Sequence, residues 1–481
     1  MSNLSELLPT GGGQNAVNFV ASGTLSSGQT VALKSDGTVE AVTETFDPTI
    51  SLGTPVSFHT SIGRVSSAYD SDSGKIVVCY YDGSTVELKC VVGTVSGSTI
   101  SFGSVVTVFA SASVWNTITF DSINNKIVIA YSGASAYLNA VVGSVSGTSI
   151  SFGTPTVVYS SNSQYLTSTF DSGNGKVILG WQNIGSGNSE FRGIVGTVSG
   201  TGISFGTSLD VSFSTEVNYC NVIYEPNSGR IVFIAENFSS GTFSYLCTVS
   251  GTSLTYNSYA SISANRIQYI SSSAVGNSKI VLSGRNISNS NYGTSFVGTI
   301  SGTTISYGSG VVFSSSSTTE TATSYDSAID RVVVSYRDSG STDDGEFVVG
   351  SVSGTSISFN SPTTFESGTI SNLSSTFDSA QNKVVTSYQY NTSPSAGKSV
   401  VITAGSLTSN NTDFIGITDQ AIADTATGAV NVYGGINEAQ TGLTIGADYY
   451  VQADGSLSTT ASAVKVGQAI SATTINMMDL T

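Results

Sequence analysis

Histidine occurs once in this 481-residue chain, at His59. With no second imidazole and no nucleophile elbow between a strand and a helix, Ser-His-Asp or Cys-His chemistry has one conceivable centre and nothing to serve it. The expectation is therefore a non-enzymatic protein with no catalytic residue. Charge is scarce too, at 10% of residues, and the 16 basic against 32 acidic side chains leave a net charge of −16. Such a field repels a phosphate backbone, which argues against nucleic acid as a partner. Four cysteines, Cys79, Cys90, Cys220 and Cys247, are too few and too scattered for a disulfide framework or paired zinc knuckles. They are expected to act as small buried hydrophobes, with no metal and no cofactor. No stretch approaches about 18 uninterrupted apolar residues, so no membrane insertion is expected. The opening MSNLSELLPTGGGQN lacks the basic flank and apolar core of a secretion signal.

What the chain does hold is glycine, 52 residues of it, with abundant Ser, Thr, Val and Ile, 22 Tyr and 21 Phe. Many short strands joined by tight turns need that mixture, and a hydrophobic content of 39% is ample for a core. The fold class expected is all-β.

Two phrases alternate through the middle of the chain. The first is an aromatic, an acid and a turn: YDSDSGK at Tyr69, FDSINNK at Phe120, FDSGNGK at Phe170, YEPNSGR at Tyr224, YDSAIDR at Tyr325 and FDSAQNK at Phe377, with a degraded copy, SAVGNSK, from Ser273. Placed on the acid, the marks fall at 70, 121, 171, 225, 274, 326 and 378, a period of 49 to 54 residues. The second phrase, VGTVSGTSISFG and its variants, starts at Val92, Val142, Val195, Val297 and Val349, with a weaker copy at Cys247. Its apolar-alternating arms around Ser-Gly predict a β-hairpin. Each repeat then has four strands, placed in the second repeat at the segment ending at 121 and at 126–131, 138–145 and 149–158. Four strands per unit of this length, seven times over, predict a seven-bladed β-propeller. A solenoid would need capping ends. Here the seventh repeat lacks its ISFG strand while an orphan copy, Ile50 to Pro55, precedes the first, so an N-terminal strand is expected to close the ring.

Up-and-down strands place the D-S-x-x-x-K and S-G-T turns on one face, nearly constant between repeats, and the two remaining sets of loops on the other, different in each repeat. The repeated Asp70, Asp121, Asp171, Asp326 and Asp378 are expected to form Asx-turns. A calcium ladder is the alternative, although one reliable carboxylate per copy falls short of six to eight oxygens. The variable loops mix rigid aromatics with adaptable polar groups. The candidate ligand-binding residues on them are Trp115, Tyr137 and Tyr165, then Trp181, Asn183 and Phe191, then Tyr292, and finally Tyr336, Arg337, Asp343, Tyr388 and Tyr390.

The two ends resemble each other. Leu25, Gly28, Asp36 and Gly37 recur in the same spacing as Leu443, Gly446, Asp454 and Gly455, each set predicting a hairpin with an Asp-Gly turn. The division expected is 1–48 and 406–481 as one composite β module, with the propeller at 49–405. The C-terminal stretch FIGITDQAIADTATGAVNVYGG from Phe414, with GLTIGADYYVQADGSLSTT after it, resembles the β-rich terminal modules of tailed-phage fibre and head-decoration proteins. Together with the repeats it is similar to virion proteins of phages of marine bacteria. The resemblance implies a virion protein made in the host cytoplasm, with other virion proteins as partners and a possible homo-oligomer.

The function expected from these features is a tail or head fibre appendage presenting its variable loops to host-surface glycan. Two alternatives stand beside it. One is a capsid decoration protein with no host ligand. The other is a glycan-degrading propeller, which needs two carboxylates at suitable separation, for which Asp338, Asp343, Asp344 and Glu346 are candidates.

Overall fold

The computed structural model describes residues 15–477 apart from 112–114, 134, 185–188, 213–215, 264–265, 341 and 394. The variable loop at 185–188 therefore lies outside the described residues. The fold is all-β, and among the described residues the single helical element is a 3-10 turn, Asn411–Asp413. Two compact units divide the chain: Met1–Pro48 with Gly405–Thr481, and Thr49–Ala404.

In the larger unit the strands of each repeat pair antiparallel in sequence order, and the long strand Val311–Asp326 joins the fifth and sixth repeats into one sheet. The first strand ends on the acid, as in Ile62–Asp70 and Ser163–Asp171. The second strand starts on the basic residue, and it is buried along nearly its whole length, as in Lys75–Asp82, Lys126–Ser132 and Arg331–Asp338. These strands read KIVVCYYD, KIVIAYS and RVVVSYRD, apolar runs without alternation, because neighbouring sheets cover both of their faces. The cores lie between sheets: Val77, Cys79 and Leu88 of the first repeat pack with Ile118, Ile127 and Val141 of the second.

The outer strand differs from expectation. In the second repeat 149–158 is two strands, Ser149–Phe152 and Thr156–Tyr159, both paired with Leu138–Ser146. The break falls at Gly153. A Cβ there would run into the carbonyl oxygen of Thr201, in the S-G-T turn of the next repeat. Gly103 meets Thr148, Gly206 meets Thr252 and Gly308 meets Thr355 in the same way. The glycine of ISFG is thus a close approach between repeats. In the fourth repeat its place is taken by Asn257, and the strand Ser253–Ser263 runs on unbroken. The orphan segment obeys the same rule: Gly53 meets Ser98, while Ser51–Leu52 and Val56–Thr60 pair with Ala396–Thr403 of the seventh repeat.

The acid turns are built as Asx-turns. The Asp121 carboxylate, fully buried, accepts the backbone N–H of Ile123 and of Asn124 at 3.0 and 2.9 Å and the Asn124 side-chain amide at 2.8 Å. Asp70, Asp171, Asp326 and Asp378 accept backbone N–H groups likewise. The residue before the basic one is left-handed, namely Gly74, Asn125, Gly175, Gly229, Asp330 and Asn382. The degraded copy has a turn one residue shorter, closed by Val275 N–H to the Lys279 carbonyl, so Val275 and not residue 274 stands where the acid would be. Replacing Asp121 with alanine removes a buried carboxylate that accepts three charge-assisted hydrogen bonds within the turn and is expected to lower stability by about 1.5–3 kcal/mol, read as a shift in the urea midpoint.

Two cysteines depart from the expectation of four independent thiols. Cys79 and Cys90 sit opposite each other on adjacent strands, Cα atoms 4.1 Å apart, and form a disulfide, while Cys220 and Cys247 are free and buried.

The smaller unit draws both chain ends into one sheet, in the order Ala16–Val20, Thr427–Val432, Phe414–Thr418, Thr30–Leu33, Val39–Ala41. The matching Asp-Gly turns have matching geometry: Gly37 and Gly455 both at φ 83°, with Asp36 and Asp454 each accepting an N–H two residues on at 2.9 Å.

Candidate functional site

The first strands of the repeats line a cavity of about 730 Å3. Six residues before the acid position, the register slips by a β-bulge, for example between Gly63 and Val65, Gln164 and Thr167, and Thr319 and Ala322. A bulge re-aims the side chain it carries. The residues there are Arg64, Tyr165, Tyr219, Tyr269, Glu320 and Asn372, all left-handed with φ between 42° and 55°, and Trp115 holds the same place in the second repeat. All seven line the cavity. Glycine would take this backbone conformation at least cost, whereas an L side chain there costs about 1–2 kcal/mol. Large or charged side chains at a strained, repeated position point to use of those side chains.

The aromatic members run in chain order around the wall. Ring centroids are 4.5 Å apart from Trp115 to Tyr165, 5.4 Å from Tyr165 to Tyr219 and 5.0 Å from Tyr219 to Tyr269. The Arg64 guanidinium lies over Trp115 at 3.6 Å from the centroid, and that of Arg285 over Tyr269 at 4.9 Å. On the remaining arc the Glu320 carboxylate accepts the Asn372 backbone N–H at 3.1 Å.

Deeper in, hydroxyls and amides join neighbouring first strands. Thr117 hydrogen-bonds Ser168 at 2.8 Å, Thr167 accepts the Val222 N–H at 3.0 Å, Ser271 meets Thr323 at 2.7 Å, and Ser374 accepts the Ser67 N–H at 2.9 Å.

Burial governs the ionisation of the lining. It raises the Glu320 carboxyl above the ordinary carboxylate range, against the pull of Arg64, the Asn372 N–H and Arg337. It lowers the Arg64 guanidinium, which Glu320 and the phenols of Tyr165, Tyr219 and Tyr269 oppose, and a guanidinium remains a cation through such a change. Burial also raises the Tyr165 and Tyr219 phenols.

The structure disperses the residues expected as loop contacts. Trp115 and Tyr165 belong to the cavity. Tyr137 is 41% exposed, Tyr292 is half-buried, Arg337 is paired with Asp343 at 2.6 Å, and Tyr390 carries the Lys398 ammonium over its ring at 3.8 Å. Four others are corrected: Trp181, Phe191, Tyr336 and Tyr388 are 0% exposed and pack the core. Trp181, Tyr336 and Tyr388 stand five residues after the basic residue that opens the second strand, as do Tyr80 and Tyr131. Each meets an aromatic from the preceding repeat's outer edge at 5.0 to 5.3 Å: Phe58, Phe109, Tyr159, Phe313 and Phe365 for Tyr80, Tyr131, Trp181, Tyr336 and Tyr388. Phe191 packs edge-on against Phe233, and Asn183 is buried at 7% exposure.

The candidate acids for hydrolysis are occupied elsewhere: Glu346 accepts the Tyr336 hydroxyl, Asp344 the Gly368 N–H and Asp338 the Gly340 N–H. Sequence reasoning missed Tyr219, Tyr269, Arg64, Glu320 and Asn372. The signal available was their constant distance of six residues before the acid mark, or before Val275 in the shortened copy.

No family model matches the sequence, and no curated protein matches it. Among solved structures, the BP39L lectin from Burkholderia pseudomallei is similar with a TM-score of 0.53 and 11% identity, over 72% of this chain and 98% of that one. A variant of the NanB sialidase from Streptococcus pneumoniae has a TM-score of 0.45 and 12% identity, over 73% and 70% of the two chains. A variant of AofleA from Arthrobotrys oligospora has a TM-score of 0.42 and 10% identity, over 70% and 93%. At such identities the likeness concerns the fold alone.

Proposed function

We propose that residues 49–404 form a closed seven-bladed β-propeller whose channel mouth binds saccharide, and that the protein carries this site on a phage virion appendage facing host-surface glycan. The observation that carries the binding reading is the arc of Trp115, Tyr165, Tyr219 and Tyr269, its three tyrosines presented by a strained bulge that repeats from blade to blade. Aromatic surface packs against the apolar faces of sugar rings, and the Ser and Thr hydroxyls below supply hydrogen bonds to the sugar's own hydroxyls.

Three contacts between the last repeat and the first support a closed ring: Ser374 with Ser67, Phe58 with Tyr80, and Gly53 with Ser98. Each repeats a relation found between consecutive repeats elsewhere.

Binding without hydrolysis is the reading we favour, because Glu320 is the one carboxylate among the described lining residues, and most glycoside hydrolysis works through a pair. Attachment to other virion proteins rests on the terminal module's resemblance to fibre and decoration proteins. Ile445 and Ile470 there, 68% and 50% exposed, are apolar surface suited to a protein partner.

The test uses the two tryptophans as reporters. Trp181 is sealed in the core and Trp115 lines the cavity, so a bound oligosaccharide is expected to change emission in the wild type and not in Trp115→Phe. Tyr219→Ala is expected to weaken binding about two- to tenfold, the loss of one aromatic platform worth roughly 0.5–1.5 kcal/mol. Silence of a broad saccharide panel in both fluorescence and calorimetry would refute the binding reading. Immunogold label on fibre tips, as against a uniform capsid shell, tests the appendage.

A further inference from the structure

We propose that the saccharide taken by this cavity carries a carboxylate, held bidentately by Arg64; the inference rests on the saccharide reading above. The arginines elsewhere with carboxylate partners are Arg192 on Glu190, Arg266 on Glu236 and Arg337 on Asp343. Arg64 is different. Among the described residues its guanidinium makes no ion pair and no hydrogen bond, and it lies over the face of Trp115 at 3.6 Å. A cation drawn partly out of water with its N–H fork unused is an unfilled anion site.

Stacking on the indole fixes the plane of the fork, and a planar fork matches a carboxylate through two parallel N–H donors. The rest of the protein makes this site more telling. At a net charge of −16 the overall field disfavours an anion, so an acidic ligand needs a local cation at low dielectric, where the attraction is strongest. The carboxylate seated on Arg64 would leave its sugar ring against Trp115 and Tyr165, with Ser66, Ser67 and Ser374 beneath.

Glu320 gives the site a pH response. The groups acting on it are the cations Arg64 and Arg337 and the Asn372 N–H, while Tyr165, Tyr219 and Tyr269 share the lining with it. Protonated, Glu320 leaves the Arg64 charge uncompensated and offers a donor to the ligand. Ionised, it competes for Arg64 and repels the ligand. Because burial raises its folded-state pKa, the protonated form extends above the usual carboxylate range. Affinity for a uronate, whose own carboxyl ionises at about pH 3–4, is therefore expected to rise several-fold as pH falls from about 8 to about 5.

The experiment is calorimetry on the full chain with three oligosaccharides of one backbone and length: a uronate, its carboxyl-reduced neutral form and a sulfated form. The uronate is expected to bind at least about tenfold more tightly than the neutral sugar, and this ratio to collapse in Arg64→Gln. Arg64→Lys, which keeps the charge and loses the fork, should retain part of it, and thermal unfolding checks that both variants fold. Glu320→Gln should bind the uronate as tightly at about pH 8 as at about pH 5.

Equal affinity for uronate and neutral sugar would overturn the inference and leave the saccharide reading standing. Tighter binding of the sulfated sugar would overturn the carboxylate assignment, and failure of all three to bind would bring down both readings.

Discussion

Truncating Trp181 to alanine is expected to cost about 3–5 kcal/mol of stability and to leave the proposed saccharide binding at the cavity in place. The indole is completely buried among Leu138, Ala140, Leu179 and Ile194, with the Tyr159 ring 5.2 Å away. It sits where two sheets face each other, and backbone pairing on both sides prevents the walls from collapsing into the space left behind. Its N–H has no hydrogen-bond partner among the described residues, so Trp181→Phe, which removes that group and part of the volume, should cost far less than alanine. Urea denaturation of the two variants, followed by circular dichroism, makes the comparison. A loss under about 1 kcal/mol for alanine would mean that the position is not core. The contrasting substitution is Trp115→Ala, which removes a lining residue and is expected to disturb binding more than stability.

A single methyl group at Gly153 should be nearly as damaging, about 3 kcal/mol. Its Cβ would run into the Thr201 carbonyl oxygen, and neither side can retreat. Gly153 lies between two short strands paired with Leu138–Ser146, and Thr201 lies in a two-residue hairpin turn of the next repeat. The control is Gly200→Ala in that same turn. Gly200 has φ +61° with open space around it, so alanine there meets only the left-handed backbone penalty, about 1 kcal/mol. Thermal unfolding of both variants separates a close approach between repeats from a purely local turn preference. Equal losses would show that the repeats do not interlock at this glycine.

The two glycines illustrate how far a repeat can be read. Gly200 announces its role locally, because Ser-Gly between alternating apolar arms needs a left-handed residue. Gly153 gives no local sign: its constraint comes from a carbonyl 48 residues along the chain. The aromatics divide in the same manner. Trp115 and Trp181 both read as loop anchors, and both stand near variable segments, Trp115 just ahead of the strand Asn116–Asp121 and Trp181 within Lys176–Ile184. One lines a cavity, and the other is covered by Tyr159 of the neighbouring repeat. Their fixed offsets from the turn, six residues before the acid and five after the basic residue, were present in the sequence as periodic positions. An offset alone does not say which face of a sheet meets another sheet.

The sequence by itself determined the strand order, the turns and the recurrence of the unit, since these follow from backbone preferences over a few residues and from alternation along a strand. Tertiary structure decided which periodic side chains are core and which line the cavity, where Arg64 is left without a carboxylate, and that Cys79 and Cys90 pair. Those outcomes depend on groups brought together across repeats or across a hairpin, where burial and charge balance are set by neighbours that no local pattern specifies.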